Sequence, residues 1–94
     1  FVIGRMMRNY ELHKDSLANP SKALSLLYYD TLVHDASALA LLIKMVGVNR
    51  IMLGSDMPFP IGDPMPRSIL DRVQLTKTDR ATLETNVAKT LFGL

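Results

Sequence analysis

Two carboxylates stand directly behind short apolar runs: Asp35 follows Leu32-Val33-His34, and Asp56 follows Leu53-Gly54-Ser55. A carboxylate so placed cannot keep its charge in a core without a partner, so it is poised to ligate a cation or to act as a base. Asp35 precedes Ala36-Ser37-Ala38 and sits where a helix N-cap belongs. For Asp56 the bland role is a cap or turn residue, but Met57-Pro58-Phe59-Pro60 follows and no regular helix can begin there. A stiff loop with an aromatic ring beside a carboxylate suits the wall of a pocket. Phe59 has a plainer alternative, anchoring that loop into the core. Of the two histidines, His34 is a ligand or acid–base group only if it escapes the commoner role of a strand-end histidine bonded to backbone. His13 lies in a polar segment and reads as solvated. Asp30 and Tyr29 read as interior polar groups satisfied by neighbours. The six methionines read as gap-fillers rather than metal ligands.

The elements that must position these residues are legible in outline. Residues 1–15 predict a helix, and Asn19-Pro20-Ser21 a turn that starts a short helix over Lys22 to Leu26. Leu27 to Val33, rich in aromatic and β-branched residues, predicts a buried parallel strand. Ala36, Leu39, Leu42, Ile43 and Val46 trace one face of a helix, which Gly47 stops in a left-handed conformation. Ile51-Met52-Leu53 predicts a second strand. Strand, helix and strand make a βαβ crossover, which demands a parallel pair. Beyond the prolyl loop of residues 57–66, Ser68 to Val73 predicts a short helix. Thr76 opens a last one, with Leu83, Val87 and Leu91 as its buried stripe and Gly93 as its end. In such folds ligands gather at the carboxyl ends of the strands, where Asp35 and Asp56 lie.

Composition narrows the function classes. The chain has 94 residues, 48% apolar and 21% charged, which excludes a disordered tail. Its net charge of +2 comes from scattered Lys and Arg, not from the clustered basic face of a nucleic-acid binder. There is no cysteine, which excludes disulfides and thiolate metal sites, and a cytoplasmic setting is the default. No apolar run approaches the roughly 20 residues of a membrane span. Phe1-Val2-Ile3-Gly4-Arg5 has neither an initiator Met nor the layout of a signal peptide, so the chain is expected to begin inside a longer protein.

Four segments in order resemble the amidohydrolase-related family. Arg50 to Pro60, with Gly54-Ser55-Asp56 at its centre, resembles the last barrel strand, and Tyr28 to Asp35 the strand before it. Asn86 to Leu94 resembles the C-terminal helix, and Phe1 to Arg5 the segment just after the family's catalytic histidine. The resemblance implies an α/β chain, the C-terminal fragment of a TIM-type (β/α)8 barrel of about 250 residues. It implies that Asp56 ligates a zinc ion and orients the attacking water, the one residue given both a metal and a catalytic role. It implies that Phe59 lines the substrate pocket, and that Arg5 reaches into a neighbouring subunit of a homo-oligomer to bind a substrate carboxylate. A guanidinium suits that task because its planar fork pairs both oxygens. The implied activity is a metal-dependent nonoxidative decarboxylation of a small carboxylated substrate. The alternatives are a related hydrolase or hydratase, and a non-catalytic module that self-associates through its strand edges. The family's His-x-His, its later histidine ligand and its catalytic histidine have no counterparts here, and Met57 stands where relatives often carry Tyr. Catalytic zinc normally takes three protein ligands, so these residues alone are expected to be inactive.

Overall fold

Asp35 opens the central helix as its residue type requires. Its backbone is extended, and Oδ1 accepts the Ala38 N–H at 2.8 Å, satisfying one of the donors a helix start leaves free. The computed structural model describes residues 2–94; Phe1, the first residue of the N-terminal likeness, lies outside the described residues. The helices are α1 (Val2–Leu12), α2 (Pro20–Leu24), α3 (Ala36–Val46), α4 (Lys77–Ala81) and α5 (Val87–Phe92). The strands are β1 (Tyr29–Asp30) and β2 (Ile51–Met52), which pair in parallel with Tyr29 opposite Ile51 and Asp30 opposite Met52. The expected strand–helix–strand unit is therefore present.

Both strands are shorter than the apolar runs that predicted them. Leu27 and Tyr28 are exposed, and Val33 turns its N–H back to the Thr31 carbonyl at 2.9 Å. Leu53 gives its N–H to the Leu83 carbonyl, also at 2.9 Å, and so leaves the sheet for the C-terminal helix. Gly47 has the positive φ expected of a helix stop, +83°, but its ψ of 155° is extended. It thus leads away from the helix into a 3-10 turn at Val48–Arg50 and on into β2.

α3 places Leu39 in the core, fully buried, with Leu42, Ile43 and Val46 packed around it. Ile51 from β2, Ile69 and Leu70 from a 3-10 turn at Ser68–Arg72, and Leu83 complete the cluster. Each such side chain contributes about 1.5–3 kcal/mol by leaving water. Thr76 caps the last helix, its Oγ1 accepting the Asp79 N–H at 3.0 Å. Between α4 and α5 a π turn spans Thr82–Asn86. Leu83 and Val87 are buried as the stripe predicts, but Leu91 is 40% exposed. Val87 and Leu91 both lie beyond the π turn on one face of α5, so the turn does not separate them; Leu91 stands one turn past the last buried residue, at the helix end. Arg80 bridges elements: it donates to Glu84 at 3.0 Å and to Asp71 of the 3-10 turn. The Asp71 hydrogen bond and then that of Glu84 hold its guanidinium above the ordinary arginine pKa.

α1 ends at Leu12, short of the expected residue 15. Its half-buried face of Ile3, Met7 and Tyr10 is where it meets other elements, and the Ser21 hydroxyl of α2 donates to the Met7 sulfur at 3.1 Å. α2 starts two residues earlier than expected because Pro20 fits the first helical position, where no N–H is needed. The radius of gyration is 15.2 Å, against about 12 Å for a close-packed chain of this length. No residue of α1 is buried.

Candidate active site

Because β1 and β2 run parallel, their carboxyl ends open on one rim. Thr31 fastens that rim. It is 2% exposed; its N–H donates to the Met52 carbonyl at 3.0 Å and its Oγ1 accepts the Gly54 N–H at 3.2 Å. Gly54 is crowded from the same side: a Cβ there would stand 2.9 Å from the Asp30 Cβ and 3.2 Å from its Cγ. The glycine of Gly-Ser-Asp is thus the residue that lets the two strand ends close on each other. Type and spacing do not single out Thr31; a threonine beside Asp30 in an apolar and aromatic run is the available signal.

The rim carboxylates divide by role. Asp35 is spent on its cap. Asp30 Oδ1 accepts the Leu32 N–H at 3.0 Å, and the Tyr29 hydroxyl donates to the Leu24 carbonyl at 2.9 Å, so both have neighbouring partners, but Asp30 is exposed and not the interior group expected, while Tyr29 is half-buried. Asp56 differs. Its side chain is exposed and has no hydrogen-bond partner among the described residues, while its carbonyl accepts the Phe59 N–H at 3.0 Å. Its φ is +54°, and His34 has +53°; they are the two non-glycine residues in that region among the described residues. Such a backbone costs an L-residue on the order of 1 kcal/mol and clusters at functional sites.

The loop behind Asp56 forms no helix, as the prolines require. It turns at Asp56–Phe59 and again at Phe59–Gly62, and closes where the Asp63 N–H donates to the Ser55 carbonyl at 2.7 Å. Phe59 is 62% exposed, so it does not anchor the loop in the core. Arg5 lies on the exposed side of α1, and no hydrogen bond or ion pair among the described residues ties it to the strand rim. The structure therefore brings Asp56, Thr31, Asp30 and the Phe59 loop to one edge and leaves Arg5 on another element.

In parallel α/β folds ligands gather at the carboxyl ends of the strands, and at this rim Asp56 offers a carboxylate without a partner among the described residues. The chain belongs to the amidohydrolase family, whose model, described as Amidohydrolase, matches residues 3–94. It is 30% identical over 100 residues to the 2-amino-3-carboxymuconate-6-semialdehyde decarboxylase of Dictyostelium discoideum, a match covering all of this chain and 28% of that protein. It is 43% identical over 67 residues to the protein of the same name from Caenorhabditis elegans, covering 66% of this chain and 17% of the relative. The chain thus spans well under a third of the length of either. Among the described residues no helix is long and apolar enough to cross a membrane.

Proposed function

We propose that this segment supplies the last two strands and the closing helix of a (β/α)8 barrel that decarboxylates a small carboxylated substrate. The observation that carries the reading is the Asp56 carboxylate: without a partner among the described residues, held in a strained turn, at the carboxyl rim of two adjacent parallel strands. The apolar surface supports it. Among the described residues six hydrophobic side chains are buried, whereas sixteen large ones are exposed, an excess that suits a piece packed against more protein.

The donor set fits a metal in part. Among the described residues no group of three His, Cys, Asp or Glu could hold an ion, and catalytic zinc normally takes three protein ligands. Asp56 fits one ligand position, with the rest of the set supplied from elsewhere in the barrel. A divalent cation there would supply Lewis acidity and lower the pKa of water to near neutrality. The chain's own residues hold and orient: Thr31 and Gly54 fix the strand ends, Asp56 presents a carboxylate, and Phe59 offers an apolar wall. Arg5, on an exposed helix face, is the group suited to pair a substrate carboxylate in a neighbouring subunit of a homo-oligomer.

The test is Asp56→Asn in the complete protein. Asparagine tolerates the left-handed turn, so the fold should persist while zinc content and carbon dioxide release from 2-amino-3-carboxymuconate-6-semialdehyde fall roughly a hundredfold or more, beyond what loss of an outer-shell partner costs. Normal zinc and turnover would refute the ligand assignment; hydrolysis without carbon dioxide release would favour a related hydrolase.

A further inference from the structure

Gly62 takes no part in the reading above, yet its surroundings set it apart. A Cβ there would stand 2.9 Å from the Asp56 carbonyl oxygen, 3.0 Å from the Asp56 carbonyl carbon and 2.9 Å from the Phe59 carbonyl oxygen. All three are backbone atoms, so no rotamer change can make room. Gly4 and Gly93, by contrast, have nothing within 4 Å. The φ of Gly62 lies outside the left-handed region, so the position demands space and not an unusual backbone angle. The Gly62 N–H donates to the Phe59 carbonyl at 2.8 Å, and the next N–H, that of Asp63, closes the loop on Ser55. Gly62 therefore lies against the backbone of the two residues proposed to bind metal and substrate.

We propose that Gly62 is a positioning residue of the rim site: its missing side chain lets the loop close tightly enough to fix the backbone from which the Asp56 carboxylate and the Phe59 ring project. The inference rests on the reading of Asp56 as a metal ligand. An alanine at 62 must push the Asp56 or the Phe59 carbonyl outward by a few tenths of an ångström, a fraction of the misplacement of about 1 Å that costs on the order of a hundredfold in rate.

The experiment compares Gly62→Ala, Gly4→Ala and Asp56→Asn in the complete protein. It reads zinc retention against graded chelator, kcat and KM with zinc resupplied, hydrogen exchange of the Asp63 amide, and the Tm of the chelator-stripped protein. Gly62→Ala should exchange its Asp63 amide about tenfold faster, lose zinc at about tenfold lower chelator and drop in kcat by about tenfold. The stripped Tm should fall by a few degrees, as an overlapping carbon requires, while the losses of zinc and kcat persist well below either midpoint; Gly4→Ala should match the native protein in zinc retention, kcat and Asp63 exchange. Native zinc retention and kcat in Gly62→Ala overturn the proposal, as does recovery of both on cooling well below the stripped Tm, which marks a purely structural role. If Asp56→Asn itself keeps zinc and turnover, the metal reading has failed and this inference with it. If Asp56→Asn loses zinc while Gly62→Ala keeps it, this inference alone has failed.

Discussion

His34 and Asp56 occupy matched points on the rim. Asp30 and Met52 are register partners; His34 lies four residues past the first and Asp56 four past the second, with φ of +53° and +54°. Each chain segment leaves its strand, crosses the rim and reverses through one residue that a β-carbon makes uncomfortable. Glycine would enter this conformation freely but adds disorder to the unfolded chain, a cost of about 0.5–1 kcal/mol. His34→Gly in the complete protein should therefore leave stability unchanged or raise it by up to about 1 kcal/mol, whereas His34→Val should lower it by about 1–2 kcal/mol. Chemical denaturation measures both. A His34→Gly variant markedly less stable than the native protein would show that the imidazole itself holds the turn.

Gly54→Ala should cost about 1–3 kcal/mol, the usual penalty for forcing an extra carbon into occupied space. The occupied space is the Asp30 Cβ, 2.9 Å from where the new methyl would lie. Replacing Asp30 with glycine in that background should recover part of the loss in a double-mutant cycle. Strictly additive penalties would mean that the two strand ends do not press on each other.

Leu83→Ala should cost about 2–5 kcal/mol, because Leu83 is fully buried at the centre of the core. Leu91→Ala, in the same predicted stripe, should cost less, since its side chain is 40% exposed on this segment and lies past the core cluster. Equal losses in denaturant titrations of the complete protein would show that Leu91 is buried there as deeply as Leu83.

Asp35→Ala should remove the cap of α3 and about 1 kcal/mol of stability, with Asp35→Asn nearly neutral. Thermal melts of the two variants decide it; a large loss in Asp35→Asn would show that the charge, not the hydrogen bond to Ala38, is what matters.

Arg80→Met should lower Tm by detaching the 3-10 turn at Ser68–Arg72 from the last helix. The folded arginine pKa lies above its ordinary value, raised by the hydrogen bonds to Asp71 and Glu84. A raised pKa gives a contribution that is complete below the unfolded value and lost only as pH climbs through the folded one. The Tm difference between Arg80→Met and the native protein should therefore be flat between about pH 6 and 9. A difference that shrinks within that window would locate the effect in some other titrating group.

The features that the sequence determined by itself are those whose cause lies within a few residues. Asp35 and Thr76 cap their helices because the amides they satisfy are three positions ahead, and Gly93 ends the last helix in the left-handed region because nothing else enters it so easily. The parallel pairing of β1 with β2 was legible for a related reason: two apolar runs joined through an eleven-residue helix leave a crossover as the natural connection. Tertiary structure alone decided what depends on close approach between distant segments. Thr31 meets Gly54 across 23 positions of sequence, and Leu53 spends its N–H on Leu83, thirty residues on, which shortens a strand that its composition predicted to be longer. Gly62 folds its loop back onto Asp56, and Leu91 stands past the last core residue of its stripe. Residue type and spacing carry periodicity and local capping, because both arise from short-range geometry. They carry no record of which backbone atoms come within 3 Å of one another once the chain has folded, and at this rim that contact sets where the Asp56 backbone sits.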